Sequence, residues 1–485
     1  MAVVIHWFRR DLRLVDNVAL NAATAAGEVL PVFVIDPEIL QRPDTGVPRV
    51  AFLDAGLRAL DGELRGRGSR LLLSTGEPAA VLRELARRHH VAALFFNRDY
   101  EPYATRRDAR VTAALSAEGL AVHGYRDDVL AELGDLPGPR PFRVFTPFYR
   151  AWRAGAAPAP TAPPHRGQFV PPGAIEGERL PRPVVRSGAL LPSTPAAGHA
   201  AGRAVLDRFA RQALAAYAEA RDRLDGATSS RVSAFLRFGM VSIRECLAVA
   251  GRHPGPGSEA WIRQLAWRDF YRQLLAAIPR LEGEPMDPRM AGLAWNDDPA
   301  AFAAWRDGQT GYPIVDAGMR QLAAEGWLPN RARLIVASFL TKDLGLNWQL
   351  GERVFMQRLI DGDLASNNGG WQWVAGTGAD PQPFFRILNP ILQGRRFDPH
   401  GSYVRRWCPE LAAIPERQAH TPWLMSDAEQ RQAGCVIGRD YPAPLVDHQQ
   451  ARAAALARVT TLRLQLQLQQ PGRVLSEDLH HRLRL

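Results

Sequence analysis

The chain has few cysteines and no long hydrophobic run, and these absences exclude several classes of protein. Its three cysteines, Cys246, Cys408 and Cys435, are widely scattered among 485 residues. This spacing fits neither a disulfide framework, nor a zinc site with paired ligands, nor a four-thiolate iron–sulfur cluster, so we expect no metal. No apolar stretch is long enough to cross a bilayer. The N-terminus has no signal-peptide pattern, and we expect a cytoplasmic protein.

Common catalytic motifs are also missing. There is no phosphate-loop lysine motif, nucleophile elbow, His-Glu-x-x-His motif or paired-carboxylate hydrolase signature. The glycine-rich dinucleotide fingerprint is absent after the first predicted strand, where His6–Arg13 stands instead. The many tryptophans of the second half, without a hydrolytic constellation, favour redox chemistry or photochemistry around an aromatic cofactor.

Composition indicates a soluble globular protein with a polyanionic partner. The length predicts two domains, and 46% hydrophobic with 23% charged residues is ordinary for this class. The net charge of +10 comes almost entirely from arginine, whose guanidinium group suits phosphate oxygens. Charge alone is a moderate indication of nucleic-acid binding.

The first part of the chain alternates between strand and helix patterns, which predicts an α/β domain with a parallel, Rossmann-like sheet. The predicted strands are Val3–Phe8, Leu30–Ile35, Arg70–Leu73 and Ala92–Phe96. The predicted helices between them are Asp16–Ala26, Ala51–Arg67 and Glu77–His89.

The second part reads as an all-α domain. The predicted helices are Ala204–Asp225, Glu259–Ile278, Ala300–Arg306, Pro313–Glu325, Asn330–Lys342 and Glu352–Ile360. We predict an α/β domain over 1–135, a linker over 136–200, a helical domain over 201–450 and a C-terminal helix and tail over 451–485. The alternation Leu462–Leu468 fits either a helix end or an accessory strand.

The run Leu359–Trp373 is the most informative segment. It combines two carboxylates, two adjacent amides, paired glycines and two tryptophans, without the apolar spacing of an amphipathic helix. Such a mixture suits a pocket wall that holds polar ligand atoms and a flat group. A helix start capped by Asp and Asn around buried tryptophans explains the run about equally well.

Four other segments carry candidate chemistry. Thr228–Ser233 offers hydroxyls and an arginine for phosphate oxygens, or a simple helix cap. One helical stripe carries Trp261, Gln264, Arg268 and Tyr271, with Trp267 nearby. This mixture of indole, amide and guanidinium groups suits the lining of a cavity better than the packing of a core. Arg333 needs a buried partner, for which Asp361 is the natural candidate. Phe384–Gln393 mixes aromatic, arginine and amide groups that can stack bases and hold phosphates, or it is a surface loop.

Several long motifs resemble the photolyase/cryptochrome family along nearly the whole chain. They are Trp7–Asn17, Arg143–Phe148, Thr310–Leu322, Ala337–Leu344 and the run Leu359–Trp373. The sequence is most similar to bacterial class I cyclobutane pyrimidine dimer photolyases. The resemblance implies an antenna-binding α/β domain, an FAD-binding helical domain, and light-driven splitting of a flipped dimer by an electron from photoexcited reduced FAD.

The resemblance also implies site residues, matched motif by motif. The implied FAD-binding residues are Tyr217, Ser229, Ser230, Arg231, Val232, Ser233, Trp261, Gln264, Arg268, Asn330, Arg333, Asp361, Gly362, Asp363 and Asn367, with Asn367 opposite flavin N5. The implied catalytic residues are Gln264, Asn330, Asn367, Trp267 and Trp373. The implied electron-transfer chain is Trp371, Trp348 and Trp295. The implied DNA-binding residues are Arg221, Gln264, Trp267, Arg268, Tyr271, Asn330, Arg331, Trp373, Arg386 and Gln393.

The sequence departs from the family pattern at two positions. Class I dimer photolyases usually carry a glutamate where Gln264 stands and a methionine where Leu334 stands. An amide donates a hydrogen bond but supplies no carboxylic proton. The (6-4) photolyases share the glutamine but place histidines at Asn330 and Leu334, so this chain lacks their imidazole acid. We therefore expect dimer repair with a reduced quantum yield.

The expected partners are UV-damaged DNA and a second, antenna chromophore. Gly46–Leu57 is more similar to 8-hydroxydeazaflavin-binding than to methenyltetrahydrofolate-binding relatives. We expect a monomer with no membrane contact and no obligate protein partner. The main alternative is a cryptochrome-type blue-light photoreceptor with FAD and little repair; a DASH-type single-strand enzyme fits the class I-like segment Asn330–Ile335 less well.

Overall fold

The computed structural model describes residues 2–132, 134–138, 141–155, 157–165, 167–174, 195–226, 228–379 and 386–469. The described chain forms two compact units. The first comprises Met1–Glu219, Ser229–Glu282 and Ile360–Ser366, and the second comprises Ala220–Thr228, Gly283–Leu359 and Asn367–Leu485. The predicted domain limits stay a prediction.

A parallel five-stranded sheet forms the centre of the first unit. Its strands are β1 (Val3–Phe8), β2 (Glu28–Ile35), β3 (Leu72–Thr75), β4 (Ala93–Asn97) and β5 (Ala121–Tyr125). The strand order is β3-β2-β1-β4-β5, and Ile5 of β1 lies opposite Leu30 on one side and Leu94 on the other. Val4–Phe8 is buried and apolar except for His6, because both faces of the sheet are covered. The predicted α/β fold is confirmed.

Helices surround this sheet and continue the first unit. They are α1 (Val18–Ala26), α2 (Pro37–Gln41), α3 (Val47–Gly66), α4 (Pro78–Arg88), α5 (Pro102–Ser116), α6 (Phe145–Ala154), α7 (His199–Gln212), α8 (Tyr217–Ala220, whose last residue falls in the second unit), α9 (Ser233–Arg237), α10 (Ile243–Arg252) and α11 (Pro256–Ala277). The single helix predicted over Ala204–Asp225 is wrong, since α7 ends at Gln212 and only the short α8 follows.

The second unit is helical, as predicted. Its elements are α12 (Pro299–Arg306), α13 (Pro313–Glu325), α14 (Asn330–Ser338), a π-helix (Phe339–Asp343), α15 (Trp348–Arg358), α16 (Leu364–Ala375, whose first three residues belong to the first unit), α17 (Pro390–Phe397), α18 (Ser402–Trp407), α19 (Asp427–Gln432) and α20 (His448–Gln469). Leu462–Leu468 lies within α20, so the helical interpretation of that segment is correct. The core includes Trp305, Val336, Leu340 and Trp371.

Within the described residues, no helix is long and apolar enough to cross a membrane. The three cysteines are all buried and free, and the described residues hold no cluster of three or more His, Cys, Asp or Glu side chains that could bind a metal ion.

Candidate functional site

In the first unit, the segment Asp361–Asp363 is held by side chains from four other elements. Ser233, the first residue of α9, donates its hydroxyl to Asp361 Oδ2 at 2.6 Å. The carbonyl oxygen of Gly362 accepts from Arg237 Nε at 2.8 Å and from Arg49 Nη1 at 3.2 Å. Ser233, Asp361 and Gly362 were all predicted from the sequence, and the structure brings them together.

Asp363 is the residue of this segment that pairs with arginine side chains. Its Oδ2 accepts from Arg10 and, at 2.9 Å, from Arg272 of α11, while its Oδ1 accepts from the Ser366 backbone amide at 3.0 Å. Burial alone would raise the pKa of Asp363, but the guanidinium groups of Arg272, Arg10 and Arg237 outweigh burial and hold that pKa well below its usual value. Both carboxylate oxygens are therefore engaged within the protein.

The predicted side chains of α11 divide into two groups. Trp261 and Arg268 are buried or ion-paired, whereas Gln264, Trp267 and Tyr271 are half-buried and form what we call the open face. Arg268 donates to the carbonyl oxygen of Asp128 at 2.6 Å and to Asp269 at 3.1 Å, and also pairs with the Asp128 carboxylate. Trp261 is buried. Gln264 is half-buried, and its only described hydrogen bond is a long one, 3.5 Å, to the Ala260 carbonyl oxygen of its own helix.

An aromatic stack lies beside Gln264. Trp267 is half-buried and stacks on Phe145 with ring centroids 3.8 Å apart and planes 4° apart. Tyr271 is 5.4 Å from Trp267, and the exposed Arg263 lies over the rings of Phe145 and Tyr149. Flat rings with a half-open edge can receive an aromatic base.

The hydroxyl segment before α9 is an irregular turn. Arg231 has φ 52°, the left-handed region that non-glycine residues rarely adopt. Ser229 and Ser230 are half-buried, and their hydroxyls make no hydrogen bond to the described residues. Val232 is buried, and half-buried Tyr217 packs its ring edge-on against Phe209. The helix-cap interpretation of this segment fails, because α9 has no side-chain cap and Ser233 binds Asp361 instead.

In the second unit, two adjacent amides of α16 face α15. Asn367 is buried and donates its Nδ2 to the Glu352 carbonyl oxygen at 3.0 Å. Asn368 donates to the Glu352 carboxylate at 2.9 Å. The Asn367 side chain is thus fixed through its amide nitrogen, and its amide oxygen accepts no hydrogen bond from the described residues.

The three predicted electron-transfer tryptophans run from buried to partly exposed. Trp371 and Trp348 are both 3% exposed, and Trp295 is half-buried. The Trp371 ring makes edge contacts with Phe355 at 5.0 Å and Trp305 at 6.1 Å. It lies so close to α15 that a Cβ added at Gly351 would be 2.6 Å from Trp371 Cζ3 and would also clash with Cη2.

The remaining predicted residues of the second unit have mixed environments. Arg331 pairs with Asp222 at 2.6 Å and lies over the Phe397 ring. Arg333 donates to the Leu328 carbonyl oxygen at 2.9 Å, and its pairing with Asp361 stays a prediction. Arg221, Asn330 and Arg386 are exposed, and Trp373 and Gln393 are half-buried. Phe384 and Phe385 lie outside the described residues.

Sequence reasoning missed several residues that hold the predicted ones, among them Arg272, which donates to Asp363. Arg10, Arg49, Arg237 and Glu352 contact predicted residues but were not predicted themselves. Arg49 lies inside the segment expected to bind the antenna, yet its guanidinium group reaches Gly362. No spacing signal links these positions, because each pair is brought together only by the fold.

Comparisons with known proteins match both parts of the chain. A family model described as the FAD-binding domain of DNA photolyase matches residues 261–461, and one described as DNA photolyase matches residues 4–165. The deoxyribodipyrimidine photo-lyase of Streptomyces griseus is 42% identical over 460 residues, covering 93% of this chain and 98% of that protein.

Two solved structures extend the comparison. A bacterial class III photolyase from Agrobacterium tumefaciens aligns with a TM-score of 0.88 at 36% identity, covering 96% of this chain and 98% of the other. A cryptochrome from Synechocystis aligns with a TM-score of 0.84 at 31% identity, covering 94% of this chain and 98% of the other.

Replacing Asp363 with asparagine tests the charge balance of the segment. The variant leaves Arg10 and Arg272 without their shared anion, and we expect the free energy of unfolding to fall by about 3–5 kcal/mol at neutral pH. The folded pKa of Asp363 is depressed, so its stabilisation is complete above the unfolded value, about 3.9, and is lost as pH falls toward the folded pKa. The difference between wild type and variant should shrink by about 1.4 kcal/mol per pH unit below that value.

Denaturant unfolding across this pH range measures the difference. Asp440→Asn is the matched control, because Asp440 pairs with the exposed Arg439 on the surface and should contribute little. A difference for Asp363→Asn that grows on acidification would contradict the expected sign.

Proposed function

Because the chain belongs to the DNA photolyase family, we propose that it is a deoxyribodipyrimidine photo-lyase, which uses light to split cyclobutane pyrimidine dimers in DNA. The observation that carries this proposal is identity of 36–42% to enzymes of that name over more than nine-tenths of the chain. DNA is accordingly its substrate. The cytoplasmic location and the monomeric state stay predictions.

FAD is the cofactor of the matched helical domain, and the chemistry of the described residues suits it. When bound, FAD supplies the light-driven electron. We propose that the free hydroxyls of Ser229 and Ser230, with Arg231, bind its phosphates. The fixed amide of Asn367 supports a contact to flavin N5 through its free oxygen. Asp361, whose carboxylate accepts from the Ser233 hydroxyl, is proposed to bind a further polar group of FAD.

The open face of α11 is the proposed lesion contact. Gln264 has an uncommitted amide that can donate to a pyrimidine carbonyl. Trp267 and Tyr271 offer ring surfaces on which a flipped base can stack. The exposed Arg221 and Arg386 are proposed to bind flanking phosphates, whereas Arg268 and Arg331 would first have to share their carboxylate partners.

The identity of the antenna is a finer proposal. We propose a second chromophore in the α/β part of the chain, 8-hydroxydeazaflavin in preference to methenyltetrahydrofolate, on the resemblance of Gly46–Leu57. Arg49 of this segment is committed to Gly362 and Asp44, so antenna contacts must come from its neighbours or require Arg49 to move. The absorption spectrum of chromophore released from the purified protein decides between the two.

A repair assay tests the main proposal. Purified protein with chemically reduced FAD should, under near-UV or blue light, convert a thymine-dimer oligonucleotide to undamaged product, and should do nothing in the dark. Binding to the damaged duplex should weaken steeply with salt, because phosphate contacts release counterions. Tight FAD binding without dimer loss would sink the repair proposal and favour a photoreceptor, which the resemblance to the Synechocystis cryptochrome keeps as the second candidate.

Gln264→Glu is expected to raise the quantum yield of repair. A carboxylic acid at this position can donate a proton-sharing hydrogen bond to the dimer anion, whereas the amide cannot transfer a proton. Repair then competes better with return of the electron. The yield is measured as dimers split per absorbed photon, with Arg263→Gln, the neighbouring exposed position, as a control for altered helix charge. An unchanged or lower yield in Gln264→Glu would count against this role.

Gly351→Ala is expected to slow photoreduction of oxidised FAD without slowing repair by chemically reduced enzyme. The added methyl group would displace the Trp371 ring, which lies against Gly351 on the helix that also carries Trp348. The overpacking should cost about 1–3 kcal/mol of stability. Gly251→Ala on α10, where an added Cβ meets nothing within 4 Å, is the matched control. Photoreduction at the wild-type rate would refute the tryptophan path.

A further inference from the structure

The guanidinium group of Arg10 joins more elements of the first unit than any role in dimer repair explains. Arg10 lies two residues past the end of β1. Its Nη1 donates to Glu101 at 2.7 Å and to Asp99 at 3.3 Å, its Nε donates to the Arg237 carbonyl oxygen at 3.2 Å, and its Nη2 donates to Asp363. One side chain thus ties the end of β4 and the start of α5 to the end of α9 and to Asp363.

The backbone around Arg10 is equally constrained. Leu12 donates its backbone amide to the Phe238 carbonyl oxygen at 3.0 Å, just after α9. Gly239 follows with φ 59°, and an added Cβ there would collide with the Arg10 carbonyl group. Only glycine allows this approach in that conformation. The position of Arg10 relative to α9 is therefore fixed from both its backbone and its side chain.

Two further arginines hold the same segment at an electrostatic cost. Arg49 and Arg237 both donate to the one carbonyl oxygen of Gly362. Burial, together with the neighbouring Arg237, lowers the pKa of Arg49 to about 10. Two cations on one neutral acceptor would separate if nothing else held them, so the surrounding carboxylates of Glu101 and Asp363 must offset their repulsion.

The Asp363 side chain also contacts the start of α16. Asp363 accepts from Arg10 and Arg272 through Oδ2 and from the Ser366 amide through Oδ1, so one rotamer of Asp363 fixes the first turn of the helix. Asn367 is the next residue along that helix. A changed Asp363 rotamer would remove the acceptor of the Ser366 amide and so destabilise the first turn of α16.

We propose that Arg10 is a positioning residue for FAD: it fixes the segment Asp361–Asp363 and the start of α16 in the conformation that binds the flavin, without touching the flavin itself. This inference rests on the proposed function of that segment. It also assigns a role to the N-terminal motif Trp7–Asn17 that is separate from antenna binding.

The test is the dissociation constant of FAD from apoprotein, measured by titration well below the unfolding temperature. Arg10→Gln should weaken FAD binding at least tenfold and alter the visible circular dichroism of the bound flavin. Arg10→Lys should fall between wild type and Arg10→Gln, because an ammonium group keeps the charge but cannot reach all four acceptors as a guanidinium fork does. Arg98→Gln removes an arginine that pairs with Glu132 on the surface, and it should bind FAD like wild type.

Arg237→Lys provides an independent variant if Arg10→Gln does not fold. It loses the hydrogen bond to Gly362 but keeps the charge, and it should shift FAD affinity and the flavin signal in the same direction. Folded variants with wild-type affinity and spectrum, or equal losses in Arg10→Gln and Arg98→Gln, would overturn the proposal. Wild-type protein that binds FAD but splits no dimer would refute the repair function and leave this inference intact.

Discussion

A carboxylate buried among guanidinium groups is the constraint on which the first unit depends. Burying Asp363 alone would be prohibitive, and its position is stable only because Arg10 and Arg272 neutralise it. Each of those arginines is itself buried and needs further anions, which Glu101 and Asp128 supply. The ion pairs therefore form a connected network, in which removal of one member shifts the charge balance of its neighbours.

The parallel sheet explains why this network forms where it does. β1 and β4 are neighbours in the sheet although many residues separate them in the chain, so their carboxyl ends meet at one edge. Arg10 and Asp99, each just past the end of its strand, converge there. This is the edge at which open α/β sheets place ligands. Here the same edge supports the segment Asp361–Asp363 through Arg10, and under the proposed function the sheet would hold that part of the cofactor site in place.

The sequence predicted this fold well where one physical signal dominated. A strand buried on both faces is rich in apolar residues, and β1, apolar except for His6, was predicted to the residue. The edge strand β5, Ala121–Tyr125, is largely exposed and mixes glycine with a histidine, so no such run marks it. The helix predicted over Asn330–Lys342 becomes a π-helix at Phe339, a change of winding that apolar spacing does not encode. Site residues came from the family motifs, but the partners of Asp363 could not, because contacts between distant segments exist only in the folded chain.

Helix α11 combines a face of buried ion pairs with a partly exposed face of amide and aromatic side chains. On its inner face, Arg268 and Arg272 form ion pairs with Asp128, Asp269 and Asp363. The positive charges of these two arginines are therefore neutralised within the protein. Its outer face presents a neutral amide and aromatic rings, with Gln264 nearly free of hydrogen bonds. The exposed positive charge beside this face belongs to Arg263, which lies over the Phe145 ring next to Gln264. Under the proposed function, DNA attraction and lesion chemistry would be separable: exposed arginines such as Arg221 and Arg386 would bind phosphates, and the side chain of Gln264 would contact the lesion.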